Sequence, residues 1–438
     1  MSSYLRALRH KDFKYLFLGQ SASALGDQIV IVALALYITR RTGSATDLGL
    51  VLAAQSLPMI ALLVFGGVWA DRVPRHRLMM LADGARALLH AVLAASIYAG
   101  GASIAELVVI EALFGAARAF FEPAYSGLLP QTLPEGLAQD ASGLTSTTSN
   151  LAFLVGPALG AGMVLTIGAG SAFAVDAATF VLSAGLLAKI RPRQRGAEPA
   201  AERSPLVHEL RAGWREVSSR PWVWATIAAF TGAILFAYAP WYTLAPTVAR
   251  AHYGGVAIFG VLESVAGGGA LAGALIGVRW RPRRPLALGL AMVATWPAQS
   301  IAFALLAPLA AVCALAFAAG LSFALFEVWW GTALIRHVPP HALGRVSSYD
   351  WMGSLALMPL GFAVSGPLAA VLGPRSVLAF GALAALAMLA LALCPRSTRA
   401  LTLDPAAEAD EAGEAEEPAG AAGAATPPQP SSRATISR

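Results

Sequence analysis

Charge is what this sequence has least of. Only 13% of its 438 residues are Asp, Glu, Lys or Arg, against about 25% in a soluble globular domain. Lysine is nearly missing, being confined to Lys11, Lys14 and Lys189. None of the three stands in Gly-x-x-x-x-Gly-Lys-Ser/Thr, so the chain carries no P-loop to draw energy from a nucleoside triphosphate. Cysteine is limited to Cys313 and Cys394, near opposite ends of two apolar runs. That placement excludes a disulfide between them and leaves both as small apolar residues. The histidines are scattered and read as mostly at loop edges, with no His-Glu-x-x-His, no Cys/His set at ligand spacing and no Gly-x-Ser-x-Gly. The expectation is therefore no metal, no cofactor and no enzyme, since no paired nucleophile and base is visible.

Apolar residues fill the space, at 57% of the chain. Crossing a bilayer takes about 20 consecutive apolar residues. Twelve runs qualify: 13–39, 47–70, 77–100, 104–125, 140–166, 169–190, 221–248, 255–279, 285–307, 309–335, 345–372 and 375–395. The first run is too long for a cleavable leader and reads as a spanning helix. The fold class is thus all-α membrane protein with twelve transmembrane helices.

The basic residues are placed asymmetrically. With the N-terminus inside, the cytoplasmic segments hold twenty-three Lys and Arg, and the outer loops hold only Arg40, Arg41, Arg250 and Arg375. This is the positive-inside pattern, and it places both termini in the cytoplasm of a multi-pass protein of the inner (plasma) membrane. The net charge of +6 then reflects loops facing anionic lipid and not nucleic-acid binding. The partners expected are the lipid bilayer and a small molecule, with the monomer as the working unit.

The chain divides into two halves, a connection and a tail. Residues 1–190 and 221–396 each hold six runs, joined by a basic, proline-containing segment at 191–220. Val207 to Val217 within it has the pattern of an amphipathic helix lying on the membrane surface. Residues 397–438 are acidic, then rich in Ala, Gly and Pro, a composition that reads as a disordered cytoplasmic tail. An internal repeat supports the halves. Phe121-Glu122 and Leu133-Pro134 recur as Phe326-Glu327 and Val338-Pro339 at an offset of 205 residues, and Gly156-Pro157-Ala158-Leu159 is echoed by Gly366-Pro367-Leu368-Ala369.

Several polar residues interrupt the runs, although a charge in hydrocarbon costs about 2.5–3.5 kcal/mol on insertion scales. Gln20, Ser23 and Asp27 share one face of the first run. Such a stripe faces either a water-filled cavity, where Asp27 binds a proton or a cationic substrate, or a neighbouring helix. Glu111, Gly115, Arg118 and Glu122 form a similar stripe on the fourth run. Arg118 and Glu122 are spaced to pair, and Glu111 is either a carboxylate that takes up and releases a proton or part of a structural ion pair. Glu263 in the eighth run and Asp176 in the outer third of the sixth are further candidates, while Asp83 and Arg86 read as a structural pair. Trp241, Tyr242, Trp296, Phe326, Trp329 and Trp330 are either walls of a binding site or ordinary interfacial anchors.

Between the second and third runs stands Gly67-Val68-Trp69-Ala70-Asp71-Arg72-Val73-Pro74-Arg75-His76-Arg77. Its Gly-x-x-x-Asp-Arg-x-x-Arg pattern resembles the loop 2–3 signature of the major facilitator superfamily. That resemblance implies two pseudo-symmetric six-helix bundles with substrate held midway between them. It also implies a conformational latch. Gly67 lets helices approach, Asp71 meets the start of the eleventh helix near Gly344 to Ser348, and Arg75, beside Arg72, meets Glu122. By the repeat, Glu327 would pair with Arg281, Arg283 or Arg284. Gly156-Pro157-Ala158-Leu159-Gly160 resembles the kinked fifth-helix signature of drug–proton antiporters, with Ala152 where a glycine is expected. The opening Arg9-His10-Lys11-Asp12-Phe13, then Leu18-Gly19-Gln20 and Leu25-Gly26-Asp27, is similar to the branch holding macrolide, tetracycline and siderophore exporters. So are Asp83-Gly84-Ala85-Arg86-Ala87 and Gly344-Arg345-Val346-Ser347-Ser348. The resemblance implies a secondary transporter exporting an amphipathic small molecule by alternating access, with the proton gradient as energy source. A lysophospholipid flippase on the same scaffold and an importer are the alternatives.

Overall fold

Mean apolar content predicts helices that must satisfy their own backbone, because lipid offers no hydrogen-bonding partner. The computed structural model describes residues 4–134, 137–192 and 206–402, and among these it contains helices and turns but no strand. The first six spanning helices are α1 (Lys11–Arg41), α2 (Ala45–Arg72), α3 (Arg75–Tyr98), α4 (Ile104–Leu128), α5 (Ala138–Thr166) and α6 (Ala169–Leu187). The second six are α7 (Pro221–His252), α8 (Ala257–Gly277), α9 (Pro285–Ala304), α10 (Leu309–His337), α11 (Pro340–Leu355 continued by Met358–Leu372) and α12 (Pro374–Ala392). Eleven of the twelve are apolar and long enough to cross a bilayer. The exception is α4, which has the length, at 25 residues, but carries Glu106, Glu111, Arg118 and Glu122.

Local chemistry sets the helix ends. Ser44 and Ser103 cap α2 and α4 by accepting from the backbone N–H of Asp47 and Glu106 at 3.1 and 3.2 Å. The α5–α6 and α11–α12 turns each pivot on a glycine at positive φ, Gly168 at 90° and Gly373 at 84°. These two lie 205 residues apart, so the repeat read from the sequence recurs as equivalent turns. In α7 the stretch Ile234–Tyr238 widens to a π-helix just before Pro240, whose missing N–H and ring disrupt the preceding turn. The expected amphipathic segment is the helix Leu206–Ser218. Its Val217 joins the core of the second half, and its Trp214 ring centre lies 6.0 Å from that of Tyr349 on α11. Residues 193–205 and 403–438, which include part of the basic connection and most of the acidic tail, lie outside the described residues.

Large apolar side chains cover the outside, among them Leu81, Leu88, Val371 and Phe380, as lipid requires and water does not tolerate in such number. Inside, the apolar core is not uniform along the bundle. We call the side carrying residues 4 and 402 the near side. At the far side one continuous cluster draws on both halves, from Ile29–Ile38 of α1 and Leu48–Ala53 of α2 to Trp241–Ala249 of α7, Phe259 of α8 and Phe362 of α11. At the near side the core splits, Leu16, Leu78, Met79 and Phe121 belonging to the first half and Trp222, Leu290, Phe326 and Trp329 to the second. The halves are therefore joined at one end and separate at the other.

Close backbone approach makes the junction. Gly366 of α11 faces the backbone of Ala45 and Thr46, and Gly267 of α8 faces Phe153 and Leu154 of α5. Phe153 O is the carbonyl that Pro157 deprives of its helix donor. Arg250 adds a polar clasp, donating from Nη1 to Thr39 O at 2.5 Å. Within the first half, Gly115 of α4 lies against the carbonyl of Gln55 on α2. The loop-motif glycine behaves otherwise than expected: nothing lies within 4 Å of the position a Gly67 side chain would take, and its neighbour Gly66 makes the approach, against Ala119 and Phe120. One residue is about 100° of helix rotation, which turns Gly67 off the α4 interface. Gly115→Leu should thus cost about 1–3 kcal/mol through overpacking, read as a lower unfolding temperature in detergent, whereas Gly67→Leu should leave that temperature unchanged.

Candidate functional site

A cavity of about 310 Å³ opens among α1 to α5. Its polar wall carries Gln20, Asp27, Gln55, Arg118, Glu122 and Ser149, and its apolar wall carries Val30, Ile31, Leu34, Leu52, Phe114 and Phe121. Every residue lining it belongs to the first half, so the cavity is not shared between the halves as the resemblance implied. The reason lies in the second half, where the facing aromatic residues pack on one another.

Asp27 sits midway along α1 and lines the cavity, with no hydrogen bond or ion pair among the described residues. Arg118 Nε donates to Glu122 Oε1 at 3.3 Å along one face of α4, and both line the same space. The lining holds the carboxylates of Asp27 and Glu122 and the guanidiniums of Arg118 and Arg86, the last paired with Asp83. Gln20 also lines it and donates from Nε2 to Ser183 Oγ on α6 at 3.1 Å. The stripe expected on α1 thus faces the cavity, as does the lower part of the α4 stripe.

Glu111 and Asp176 are drawn elsewhere. Both are fully buried, and His90 of α3 stands between them, 2.5 Å from Asp176 through Nδ1 and 3.7 Å from Glu111 through Nε2. Gln55 Nε2 donates to the second Glu111 oxygen at 2.6 Å. His90 was read as one of a scattered set at loop edges; it is instead at mid-helix and 1% exposed. A signal was there, because Asp83, Arg86 and His90 follow at i, i+3 and i+7 on one face of the third run. Arg86 and Asp83 meet directly, and the guanidinium lies 4.2 Å from the ring centre of Phe121 and 4.3 Å from that of Phe180.

Glu263 does not reach the cavity. It accepts from Trp241 Nε1 at 2.7 Å and from Tyr242 Oη at 2.5 Å within the far-side core. Trp241 and Tyr242 are thereby engaged in packing, as are Trp329, which donates to Trp280 O at 3.0 Å, and Trp330, which donates to Asp350 at 2.8 Å. None of the aromatic residues singled out in the second half lines this cavity. A second, apolar groove of about 630 Å³ lies in that half, between the helix Leu206–Ser218, α7, α11 and α12, with Trp214, Trp224 and Phe236 at its rim.

Arg75 and Glu122 are not paired with each other in this conformation. Arg75 donates from Nη1 to Gly127 O at 2.8 Å and not to Glu122. Glu122 lies six residues inside the end of α4, about 9 Å deeper along the helix axis, and is committed to Arg118. Glu327 forms no ion pair among the described residues, so it does not meet Arg281, Arg283 or Arg284. It stands ten residues before the end of α10, about 15 Å above that loop. Arg72 is exposed at the end of α2, and the side chain of Asp71 lies outside the described residues. In α5, which is continuous through Pro157, Gly156 and Gly160 pack against Gln28 and the Ile29 carbonyl of α1.

Comparison with known proteins agrees with this geometry. The family model described as Major Facilitator Superfamily matches residues 16–355. The chain is 28% identical over 363 residues to the multidrug efflux pump Tap of Mycobacterium tuberculosis, covering 79% of this chain and 84% of that one. It is 23% identical over 368 residues to macrolide efflux protein A of Streptococcus pyogenes, covering 81% and 88%. Solved structures show the same fold: a D-xylose–proton symporter (TM-score 0.65, 14% identity, 89% of this chain and 99% of that one), and a bacterial homologue of the human lysosomal transporter Spinster in an inward-facing, unoccupied conformation (TM-score 0.61, 17% identity, 87% and 94%). With twelve helices in two repeated halves, a polar cavity at mid-bundle and a family match over most of its length, the chain belongs to the major facilitator superfamily.

Proposed function

We propose that this transporter exports amphipathic small molecules, drug-, macrolide- or siderophore-like, by exchange for protons. The observation that carries the reading is the unpartnered Asp27 carboxylate in a cavity with one apolar wall. A carboxylate at mid-membrane without a cation partner is costly, so its retention on the cavity wall supports a ligand that supplies the partner. Two carboxylates against Arg118 leave one negative charge for a cationic group, and Phe114, Phe121 and the aliphatic residues receive an apolar body.

Direction follows from the positive-inside pattern, which makes the near side cytoplasmic. The cores of the two halves are separate on that side, so substrate enters from the cytoplasm. Residues 1–190 and 221–396 then act as two bodies whose far-side contact parts as the near side closes, and the loop 2–3 motif, with Asp71, Arg75, Glu122 and Glu327, engages in that closed state. The relatives named above are efflux pumps, and the fold and relatives are those of transporters, not enzymes. A second reading, movement of a lysophospholipid between leaflets, is favoured by the apolar groove beside the helix Leu206–Ser218. It predicts that lysophospholipid competes with drug efflux, which the first reading does not.

Efflux of ethidium, tetracycline and erythromycin from energised cells expressing the protein tests the proposal. At least one should leave faster than from control cells, and a protonophore should abolish the difference; efflux indifferent to the protonophore overturns proton exchange. Asp27→Asn should weaken ethidium binding roughly tenfold or more, the loss of one charge-assisted contact, while leaving the unfolding temperature unchanged. Glu263→Ala should do the reverse, lowering stability by about 1–3 kcal/mol because two buried donors lose their acceptor.

A further inference from the structure

Behind the wall that carries Asp27, four helices contribute to a second polar cluster. His90 of α3 is its centre, flanked by Asp176 of α6 at 2.5 Å and Glu111 of α4 at 3.7 Å, with Gln55 of α2 holding the other Glu111 oxygen at 2.6 Å. The imidazole is fixed in orientation by Phe114, stacked on its face with ring centres 4.2 Å apart, and by Phe173 and Phe180 at its edges. Rotation to find other partners is therefore blocked.

Two atoms in this cluster are unsatisfied. His90 Nε2 and Glu111 Oε1 are both buried, and neither has a hydrogen-bond partner. They face each other across 3.7 Å, about half an ångström beyond hydrogen-bond range. With His90 donating to Asp176 through Nδ1, a neutral ring has only a lone pair at Nε2, opposed to a carboxylate oxygen. One added proton turns Nε2 into a donor aimed at that oxygen, and a small movement satisfies both atoms. Apart, each is left without the hydrogen bond that burial demands. The proton is therefore worth a displacement of α3 against α4.

The charges around the ring lead to the same conclusion. Asp176 and Glu111 face it from α6 and α4; Asp83 and Arg86 on its own helix are paired with each other; Asp27 of α1 and Arg118 of α4 lie in the cavity. With neutral His90, the two flanking carboxylates have no cation of their own. With the added proton, one cation serves both. His90 and Gln55 also line the cavity wall, so the cluster and the substrate space share a boundary.

We propose that His90, Asp176 and Glu111 together bind the driving proton, at a site distinct from the Asp27 wall that receives substrate. The assignment rests on the proton-exchange reading above. The proton is taken from water on the far side onto His90 Nε2, drawing α3 toward α4, and is released to water on the near side when the halves rock back. No other bond is made or broken.

Nuclear magnetic resonance of the full chain with nitrogen-15 histidines, in nanodiscs without ligand, tests the site directly. One imidazole signal, absent in His90→Gln, should change protonation between pH 5 and 9. Its midpoint should move by about one pH unit or more in Asp176→Asn and in Glu111→Gln. A His90 ring in one protonation state throughout, or a midpoint indifferent to both carboxylates, overturns the proposal whether or not any variant transports. In proteoliposomes, His90→Gln should lose uphill ethidium accumulation driven by an imposed pH gradient and keep downhill ethidium equilibration. Uphill accumulation retained in His90→Gln removes the triad but not proton exchange. Wild-type movement of ethidium unaffected by the gradient removes proton exchange and leaves the triad to the spectroscopic result.

Discussion

Backbones of the two halves touch where Gly366, at the far end, and Gly267, at mid-bundle, remove side chains, and the core they share does not extend to the near side. This contact is the constraint on which the rest depends. A packed interior resists continuous deformation, and the proposed exchange requires halves that share a core at one end and keep separate cores at the other to move as two bodies. The polar cavity lies at mid-bundle, between the shared far-side core and the separated ends. Had the shared core extended along the whole bundle, Asp27 would be an inaccessible charge with no physical justification.

The first half carries the chemistry and the second carries the frame. Asp27, Glu111, Arg118, Glu122, Asp176 and His90 lie in α1, α3, α4 and α6, most of them in contact with one another or with the cavity. Charges in hydrocarbon are tolerated only when they pair, bind or face water, and each of these does one of the three. In the second half Glu263 is enclosed by Trp241 and Tyr242 and belongs to the far-side core. A carboxylate accepting two good hydrogen bonds there reads as a structural brace, since both donors depend on it.

Much of this was legible in the sequence, and the limits have physical causes. Hydrophobic runs report helix length directly, so a run at 285–307 corresponds to Pro285–Ala304 and a run at 309–335 to Leu309–His337. The stripes on α1 and α4 were legible because 3.6-residue spacing needs no knowledge of neighbours. The partners were not. That Glu111 turns to Gln55 and His90 while Glu122, on the same stripe, turns to the cavity depends on where α2 and α3 lie, and the sequence does not state it. The partners of Glu263 were hidden for the same reason, its donors Trp241 and Tyr242 being on another helix. His90 was passed over because a histidine in an apolar run has no motif around it, and the step from Arg86 to His90 carries meaning only once α4 and α6 are seen to supply acids. The displacement from Gly67 to Gly66 reflects helix rotation, which a motif match does not resolve.

The parting of the far-side core can be tested without knowing the substrate's full identity. Cysteines placed at Thr42 and Arg250, across the far-side clasp in a background lacking Cys313 and Cys394, would be joined by a short cleavable dimaleimide, and drug efflux would be measured before joining, after it and after cleavage. Export that requires the far-side core to part predicts that the joined protein still binds drug from the near side, stops exporting it, and recovers when the linker is cut. Export that continues at full rate with the far ends tied together would contradict it.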